Sequence, residues 1–529
     1  MKTSSRPHHS LPCQVAYSQL MIPHPPFASQ LSLEEELAEF ERLKPRLARV
    51  WPIIAWERDD PCTTVVVPSL TLPQGELAKL SGASYYEERL LFLLIRLRNP
   101  RARVVYVTSQ PVHPQILDYL LQHLLGIPAS HARQRLTMLS AADGSPRPLT
   151  LKILERPRLI ERIRQAIPDR DSAYLSAFNV TPLERRLSVL LGIPINGVDP
   201  ALAHLGTKSG SRKLFRESGV SHPAGFEDLK SEKDVVGALS TLRDERPGIR
   251  RAVIKLDDSF SGAGNALYDY PEESTSQALA RALDGLKFTD ASETRESYFA
   301  EFAVGGGIVE EYVDGVETRS PSVQLRTAPS GQVLLLSTHE QILGGPTGQV
   351  YEGCRFPADS AYRLAIQEAG QRVGGALADH GVVSRFGVDF MVTRPRPDAA
   401  WEYRAIEINL RLGGTTHPFL ALRFLCGGSL DPASGLFHSA SGHDKYYRAT
   451  DNLWSPRYRG LLPEDVIEIF TINRLTFDYR TETGVLFHMI GAVSEFGKLG
   501  LTAIGNSPEE ADMVFEDTLD ALEEETAYG

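Results

Sequence analysis

The sequence predicts an α/β (α+β) protein built from several domains. Three observations point there. Apolar strand-like runs alternate with helical stretches between Thr63 and Leu125. Two short apolar segments, Phe386–Val392 and Ala405–Arg411, read as a hairpin, and Ser507-Pro-Glu-Glu510 announces a capped helix near the end of the chain.

In chain order, residues 1 to about 30 are rich in Pro, Ser and His, and Leu33–Glu41 begins a first helix; together 1–58 form an amino-terminal extension. Residues 59–200 are expected as a small α/β domain. Thr63–Val67 and Val104–Val107 are its strands, and Tyr85–Leu97 and Pro114–Leu125 its helices. The absence of a GxGxxG turn argues against a dinucleotide site there. Leu183–Gly192 reads as a helix ending on glycine, with a loop to Pro200. Strand and hairpin signals fill 201–426, and 427–463, rich in Gly, Ser, Pro and Asp, is expected as a connecting segment. A small carboxy-terminal domain occupies 464–529. In its last helix Ser507 is the N-cap, Pro508 sits in the first turn and Glu510 at the reciprocal capping position. Ala511, Val514, Phe515, Thr518, Leu519 and Leu522 make that helix's buried face.

Composition narrows the function. With 529 residues, 42% hydrophobic and 23% charged, the chain has ample core for two to four domains. A net charge of -11 argues against general nucleic-acid binding, which needs a basic face. Cys13, Cys62, Cys354 and Cys426 are scattered without metal spacing and read as thiols in a reducing compartment. No apolar stretch follows the amino terminus, so neither a secretory signal nor a membrane span is expected, and the expected location is cytoplasmic.

The hairpin carries the chemistry. Nine residues including two prolines separate Thr393 from Tyr403. If those two pair, Asp389 falls opposite Glu407, and Glu407 and Asn409 share a face. Two carboxylates and an amide on one patch repel unless a hard cation lies between them, and magnesium favours such oxygen ligands together with phosphate. The alternative is an ordinary hairpin with solvated acids. Against it stands the continuation Arg411-Leu-Gly-Gly-Thr-Thr-His417, a cation and a backbone-rich loop suited to polyphosphate.

Further motifs precede it. Leu205–Phe215 opens a helix beside Lys208, Arg212 and Lys213, and helix amino termini favour phosphate. Arg251–Leu256 presents Lys255 ahead of the Gly/Ser loop Asp257–Asn265. Ile308–Glu317 is a strand leaving into a turn, able to offer backbone groups to an adenine edge and Glu317 to ribose hydroxyls.

In this order the motifs resemble the ATP-grasp superfamily of ligases over about 200–425. The resemblance implies an ATP-grasp fold flanked by an amino-terminal pre-grasp domain and a small carboxy-terminal domain, with ATP and Mg2+ as cofactors. It implies that Lys208 and Lys255 contact phosphates and that the loop Ser259–Gly264, with Ser259, Ser261 and Gly262, is a mobile lid. Glu310, Glu311 and Val313 would lie at adenine, the latter two through their backbone, and Glu317 at ribose. Asp389, Glu407 and Asn409 would bind magnesium, and Arg411 would meet the transferred phosphoryl group. A narrower resemblance, carried by Gly206–Arg212, His339–Gln349 and Gly484–Lys498, is to the pheganomycin-type peptide ligase family. Its members join a guanidino-bearing amino acid, as acyl donor, to the amine of a peptide.

The expected reaction is ATP-dependent amide formation through an acyl phosphate, with Arg411 and Lys255 as the catalytic pair. The substrates would be an amino acid donor and a peptide or amino acid acceptor, with no nucleic acid or membrane partner and a homo-oligomer left open. Rival readings are phosphotransfer to a small hydroxylated acceptor, ligation to a non-peptide amine and a nucleotide-binding module without turnover. His339, Glu340 and His417 are weaker candidates for substrate contact, as are Arg319, Arg326 and Arg385 for a substrate carboxylate, whereas His488 reads as a core residue.

Overall fold

The computed structural model describes residues 31–55, 58–259, 264–290, 292–344 and 350–527. They gather into two compact units, one of 207–212 and 223–313, the other of 31–206, 213–222 and 314–527. Among the described residues no helix is long and apolar enough to cross a membrane.

The larger unit opens with five parallel strands: β1 (Thr63–Val67), β2 (Arg103–Thr108), β3 (Leu136–Ser140), β4 (Ala173–Ala177) and β5 (Ile195–Asn196), in the order β3-β2-β1-β4-β5. Every residue of β1 and β4 is buried, as expected for strands covered on both faces. Helices flank them, as the alternation predicts. The expected helix at 85–97 spans Ala83–Arg98 and is wound as a 3₁₀ helix. Pro182–Leu191 is capped by Thr181 with Glu184 in a reciprocal box, and ends on Gly192 at φ 70°, a left-handed turn that favours glycine.

The smaller unit is a five-stranded sheet of β6 (Gly225–Leu229), β7 (Arg251–Leu256), β8 (Asn265–Asp269), β9 (Lys287–Phe288) and β10 (Gly307–Glu311), in the order β6-β10-β7-β8-β9. Val235 and Leu239 from helix Glu232–Glu245, and Tyr298 and Phe302 from helix Arg295–Gly305, build its core with Ile254 and Val309. Gly225 permits close approach of β6 to β10: a Cβ there would stand 2.2 Å from the Val309 carbonyl oxygen.

The rest of the larger unit is an eleven-stranded sheet: β11 (Glu317–Arg319), β12 (Pro321–Thr327), β13 (Val333–Gly344), β14 (Val350–Phe356), β15 (Ser384–Arg394), β16 (Glu402–Asn409), β17 (Ser429–Asp431), β18 (Leu436–His438), β19 (Asp444–Trp454), β20 (Gly484–His488) and β21 (Lys498–Gly505). Its spine runs β11-β15-β12-β13-β14-β19, with β16 on β15 and β20 beside β21. Helix Arg363–Asp379 packs on β12 and β13. Three strands lie within 427–463, the stretch expected as a connector. Glycine and serine in its first half hide the alternation of β19, where Lys445, Tyr447 and Ala449 turn inward between half-buried neighbours. The last helix, Pro508–Glu525, is capped by Ser507. Glu510 reaches back one residue further than the box requires, to the Asn506 N–H. Ala511, Phe515, Thr518 and Leu522 are buried as expected, Val514 and Leu519 only half-buried.

Candidate functional site

In the smaller unit, antiparallel pairing of β7 with β10 sets Lys255 opposite Ile308 and Val253 opposite Glu310. Lys255 and Glu310 are therefore diagonal neighbours on one face. Both side chains are buried, and the Lys255 ammonium is ion-paired to Glu310 Oε1. Arg212, buried in helix Lys208–Glu217, lies 3.3 Å from Glu310 Oε2 and 3.3 Å from Glu227, and donates to the Pro223 carbonyl at 2.8 Å. Glu310 thus joins two cations in a dry setting, where each charge depends on its partners. It was expected at the adenine, and the structure gives its carboxylate to this network.

The amino end of helix Lys208–Glu217 was expected to face phosphate. Here Asp257 occupies it: the Ser209 N–H donates to Asp257 Oδ1 at 2.7 Å, and the Lys208 N–H to the Asp257 carbonyl at 3.1 Å. Thr207 Oγ1 takes the Gly210 N–H. The Lys208 ammonium, on a buried side chain, is what this segment offers a phosphate. Glu311 is fastened to Ala224 twice, its N–H donating to the Ala224 carbonyl at 2.8 Å and its carboxylate accepting the Ala224 N–H at 3.0 Å. The Tyr312 N–H donates to the Arg251 carbonyl. Among the described residues the Val313 N–H makes no backbone hydrogen bond, so of the expected adenine residues Val313 keeps its amide available. The Ser259 hydroxyl is buried without a hydrogen-bond partner among the described residues, and Ser261 and Gly262 lie outside them.

In the larger unit, β15 and β16 pair antiparallel with Asp389 opposite Glu407 and Gly387 opposite Asn409. The expected partnership is present, but the route to it differs. Thr393 pairs with Glu402 and Val392 with Tyr403, one residue off the assumed register, and a β-bulge that skips Ile406 restores it between Phe390 and Asp389. Asp389 Oδ1 accepts from Gln341 Nε2 at 3.0 Å, and Oδ2 from Asn409 Nδ2 at 2.8 Å. Gln341, on β13, is the residue that sequence reasoning missed. Its only signal was its place in the His339–Gln349 motif. Two half-buried carboxylates beside an amide are a donor set that fits a hard cation sharing its shell with phosphate. Among the described residues no group of three or more His, Cys, Asp or Glu side chains stands ready to bind a metal without such help. Arg411 follows two residues after Asn409, half-buried, its Nη1 donating to the Leu412 carbonyl. Glu317 on β11 accepts from Arg394 Nη2 at 2.7 Å through both carboxylate oxygens.

The weaker candidates divide. His339 is fully buried, bonded to the Tyr447 hydroxyl at 2.5 Å, and burial pushes its imidazole down to about 3. His417 packs on His488, ring centroids 4.1 Å apart, and burial holds both below the usual histidine range. All three are neutral core groups. Glu340 accepts from the Tyr362 hydroxyl, and burial raises its carboxyl. Arg319 is exposed on β11. Arg326 and Arg385 instead line a cavity of about 360 Å³ in the larger unit, together with Arg96, Arg98 and Arg423.

Comparison with known proteins gives consistent results. A family described as "IQCH-like, ATP-grasp" matches residues 200–286 and 287–433, and a "PGM1 C-terminal domain" matches 465–516. The chain is 33% identical over 462 residues to L-propargylglycine--L-glutamate ligase of Streptantibioticus cattleyicolor, covering 86% of this chain and 92% of that protein. It is 25% identical over 430 residues to IQ motif-containing protein H of Danio rerio, covering 72% of this chain and 40% of that larger protein. In fold it is similar to a biotin carboxylase from Campylobacter jejuni solved with an ATP analogue, with a TM-score of 0.52, 12% identity, and coverage of 88% of this chain and 92% of that one.

Proposed function

This chain belongs to the ATP-grasp superfamily and, within it, to the pheganomycin-type peptide ligases, and on that premise we propose how its residues carry ATP-dependent carboxylate–amine ligation. The substrates are an amino acid that supplies the carboxylate, guanidino-bearing amino acids among the candidates, and a second amino acid or short peptide that supplies the amine. A relative whose name joins L-propargylglycine to L-glutamate supports an amino acid on each side of the new bond. The observation that carries the reading is the Asp389–Glu407 pair with Asn409 alongside, followed directly by Arg411.

A carboxylate does not condense with an amine in neutral water, because it is a poor electrophile. In the first step a carboxylate oxygen attacks the γ-phosphorus of ATP and ADP departs, leaving an acyl phosphate. In the second, the neutral amine attacks the acyl carbon. The C–O bond to phosphate breaks, inorganic phosphate leaves, and the amine nitrogen gives up a proton. Lys208 and Lys255 neutralise phosphate oxygens, Val313 offers its N–H to the base, and Glu317 accepts from the ribose. Asp389, Glu407 and the Asn409 amide oxygen would hold magnesium, which draws charge from the γ-phosphoryl oxygens. Gln341 and Asn409 fix the Asp389 carboxylate by hydrogen bonds to both oxygens. Arg411 stabilises the phosphoryl group and then the tetrahedral intermediate.

The test is ADP release from the full chain with ATP and Mg2+ across a panel of guanidino and ordinary amino acids, each with and without a second amino acid or short peptide, followed by product mass. An adduct lighter than the sum of its parts by one water, formed only when both partners are present, is the expected result. A stable phosphorylated product, or ADP release without any amine-dependent adduct, would sink the ligase reading.

A further inference from the structure

We propose that the five-arginine cavity of the larger unit is the seat of the amine-bearing acceptor, and that this acceptor is an amino acid or peptide carrying at least two carboxylates. The proposal rests on the ligase reading above and adds to it the acceptor's chemical class and place.

The cavity is assembled from distant parts of the chain. Arg96 and Arg98 come from helix Ala83–Arg98, Arg326 from β12, Arg385 from β15 and Arg423 from helix Thr416–Cys426. Among the described lining residues Asp59, which is exposed, is the single carboxylate. Arg326 and Arg385 are direct cross-strand partners, so their side chains leave the sheet on the same face. Like charges at that separation repel, and strand designs normally avoid such a pair. Arg385 makes no ion pair and no side-chain hydrogen bond with any described residue. Burial and the neighbouring Arg326, Arg423 and Arg96 hold its guanidinium well below the usual range, as the field of a crowded cationic wall requires. Arg96 donates to the Ile53 and Ile54 carbonyls and Arg98 to the Phe424 carbonyl, so these two serve the wall by charge, while Arg385 can meet a carboxylate with two parallel N–H bonds.

The cavity also lies in line with the chemistry. On β15 Arg385 precedes Asp389 by four residues on the same face, about 13 Å along the strand. Beyond the Gly387–Asn409 pair, the same count brings Arg411 level with Arg385. A smaller recess shares Ala177, Asn196, Ser384, Arg385 and Leu412 with the cavity and adds Arg411 to its wall. Arg411, two residues beyond Asn409, thus shares with Arg385 the wall of a recess that borders the cavity.

Charge decides which substrate takes the wall. The acyl donor brings one obligatory carboxylate, and that group is consumed at Arg411. A guanidino group on the donor would be repelled by five arginines. The acceptor keeps all of its carboxylates throughout the reaction, so it can hold the cationic wall while its amine points towards the acyl phosphate.

Calorimetric titration of the full chain, loaded with a non-hydrolysable ATP analogue and Mg2+, tests this with L-glutamate, L-glutamine and L-arginine as probes. L-Glutamate should bind about tenfold tighter than L-glutamine or better, and L-arginine, a guanidino amino acid open to the donor seat, should leave L-glutamate binding undisturbed. Arg385→Gln and Arg423→Gln should each weaken L-glutamate by about tenfold or more at unchanged nucleotide affinity, while Arg42→Gln, on the exposed face of the first helix, changes nothing. Equal affinities for L-glutamate and L-glutamine, displacement of L-glutamate by L-arginine, or no loss in the two cavity variants would overturn the proposal. If those variants fail to fold, the selectivity of the unaltered protein decides alone. Amide formation confined to neutral acceptors overturns this inference and leaves the ligase reading standing. Tight L-glutamate binding without any amine-dependent adduct does the reverse.

Discussion

Lys255 and Glu310 form a buried ion pair, and Glu310 divides its two oxygens between that lysine and Arg212. One carboxylate therefore compensates two cations that water barely reaches, and Glu310 is a structural hub.

Removing its charge should cost more stability than most substitutions. Glu310→Gln leaves Lys255 and Arg212 facing each other with Glu227 still paired to Arg212, and a loss of about 3–5 kcal/mol is expected in urea melts. Lys255→Met removes one of the two cations together with the phosphate contact proposed for it, so turnover should vanish with a smaller loss of stability. A Lys255→Met protein as unstable as Glu310→Gln would contradict this division of labour.

Glu407→Gln keeps the shape of the strand pair and removes one of its two carboxylates. Folding should be unaffected, because the side chain is half-buried and the ladder bonds are backbone bonds. ADP release should fall by at least about a hundredfold, since even outer partners of metal ligands cost about ten- to a hundredfold when lost. Raising Mg2+ should recover part of that loss. Gln341→Leu tests the hydrogen bond to Asp389 and should raise the Mg2+ requirement while leaving the melting temperature near that of the parent.

Glu317→Gln separates recognition from chemistry. Its bond to Arg394 is partly solvated, the two side chains retaining 28% and 23% of their surface, so stability should change by less than about 1 kcal/mol. If the carboxylate accepts from the ribose, KM for ATP rises and kcat stays within a few-fold. An equal fall in kcat and kcat/KM would move Glu317 from the ribose to the reacting groups.

Stability should also depend on pH in a way traceable to Glu88. Burial first, and the nearby Glu87, push its carboxyl up to about 8, against the Gly491 N–H that would lower it. A raised carboxyl is protonated in the fold where the unfolded chain has already ionised. Its contribution is thus intact below about pH 4.5 and is lost as pH rises towards 8. Glu88→Gln, neutral throughout, should match the parent at pH 5 and exceed it by about 3–5 kcal/mol at pH 8. The acid side moves oppositely: His488, lowered by burial to about 4, withdraws stability as pH falls below 6.5, in parent and variant alike. Identical pH profiles for the two proteins would exclude this role for Glu88.

Much of this was legible in the sequence because it is local. Val-rich runs made β1 and β2, the Thr181 and Ser507 caps started their helices, and the β15–β16 hairpin was readable from alternation with a proline-marked turn. The partnership of Asp389 with Glu407 was reached through an assumed Thr393–Tyr403 pair that the bulge at Ile406 displaces, since a bulge leaves no trace in an apolar pattern. The Glu310 network was not legible because a carboxylate on a strand looks the same whether it meets a ligand or two buried cations. The arginine wall lay further out of reach. Its members are spread from residue 96 to residue 423, and only folding shows that they share a cavity.

The bulge at Ile406 has a bearing on how such a protein can vary. Between it and the proline-marked tip, the two strands keep one count; between it and Asn409, another. The kink works as a slip joint. Residues gained or lost at the tip shift the outer ladder, and the inner pairs can stay where they are. Chain length at the surface is thereby insulated from the spacing of Asp389, Glu407 and Asn409.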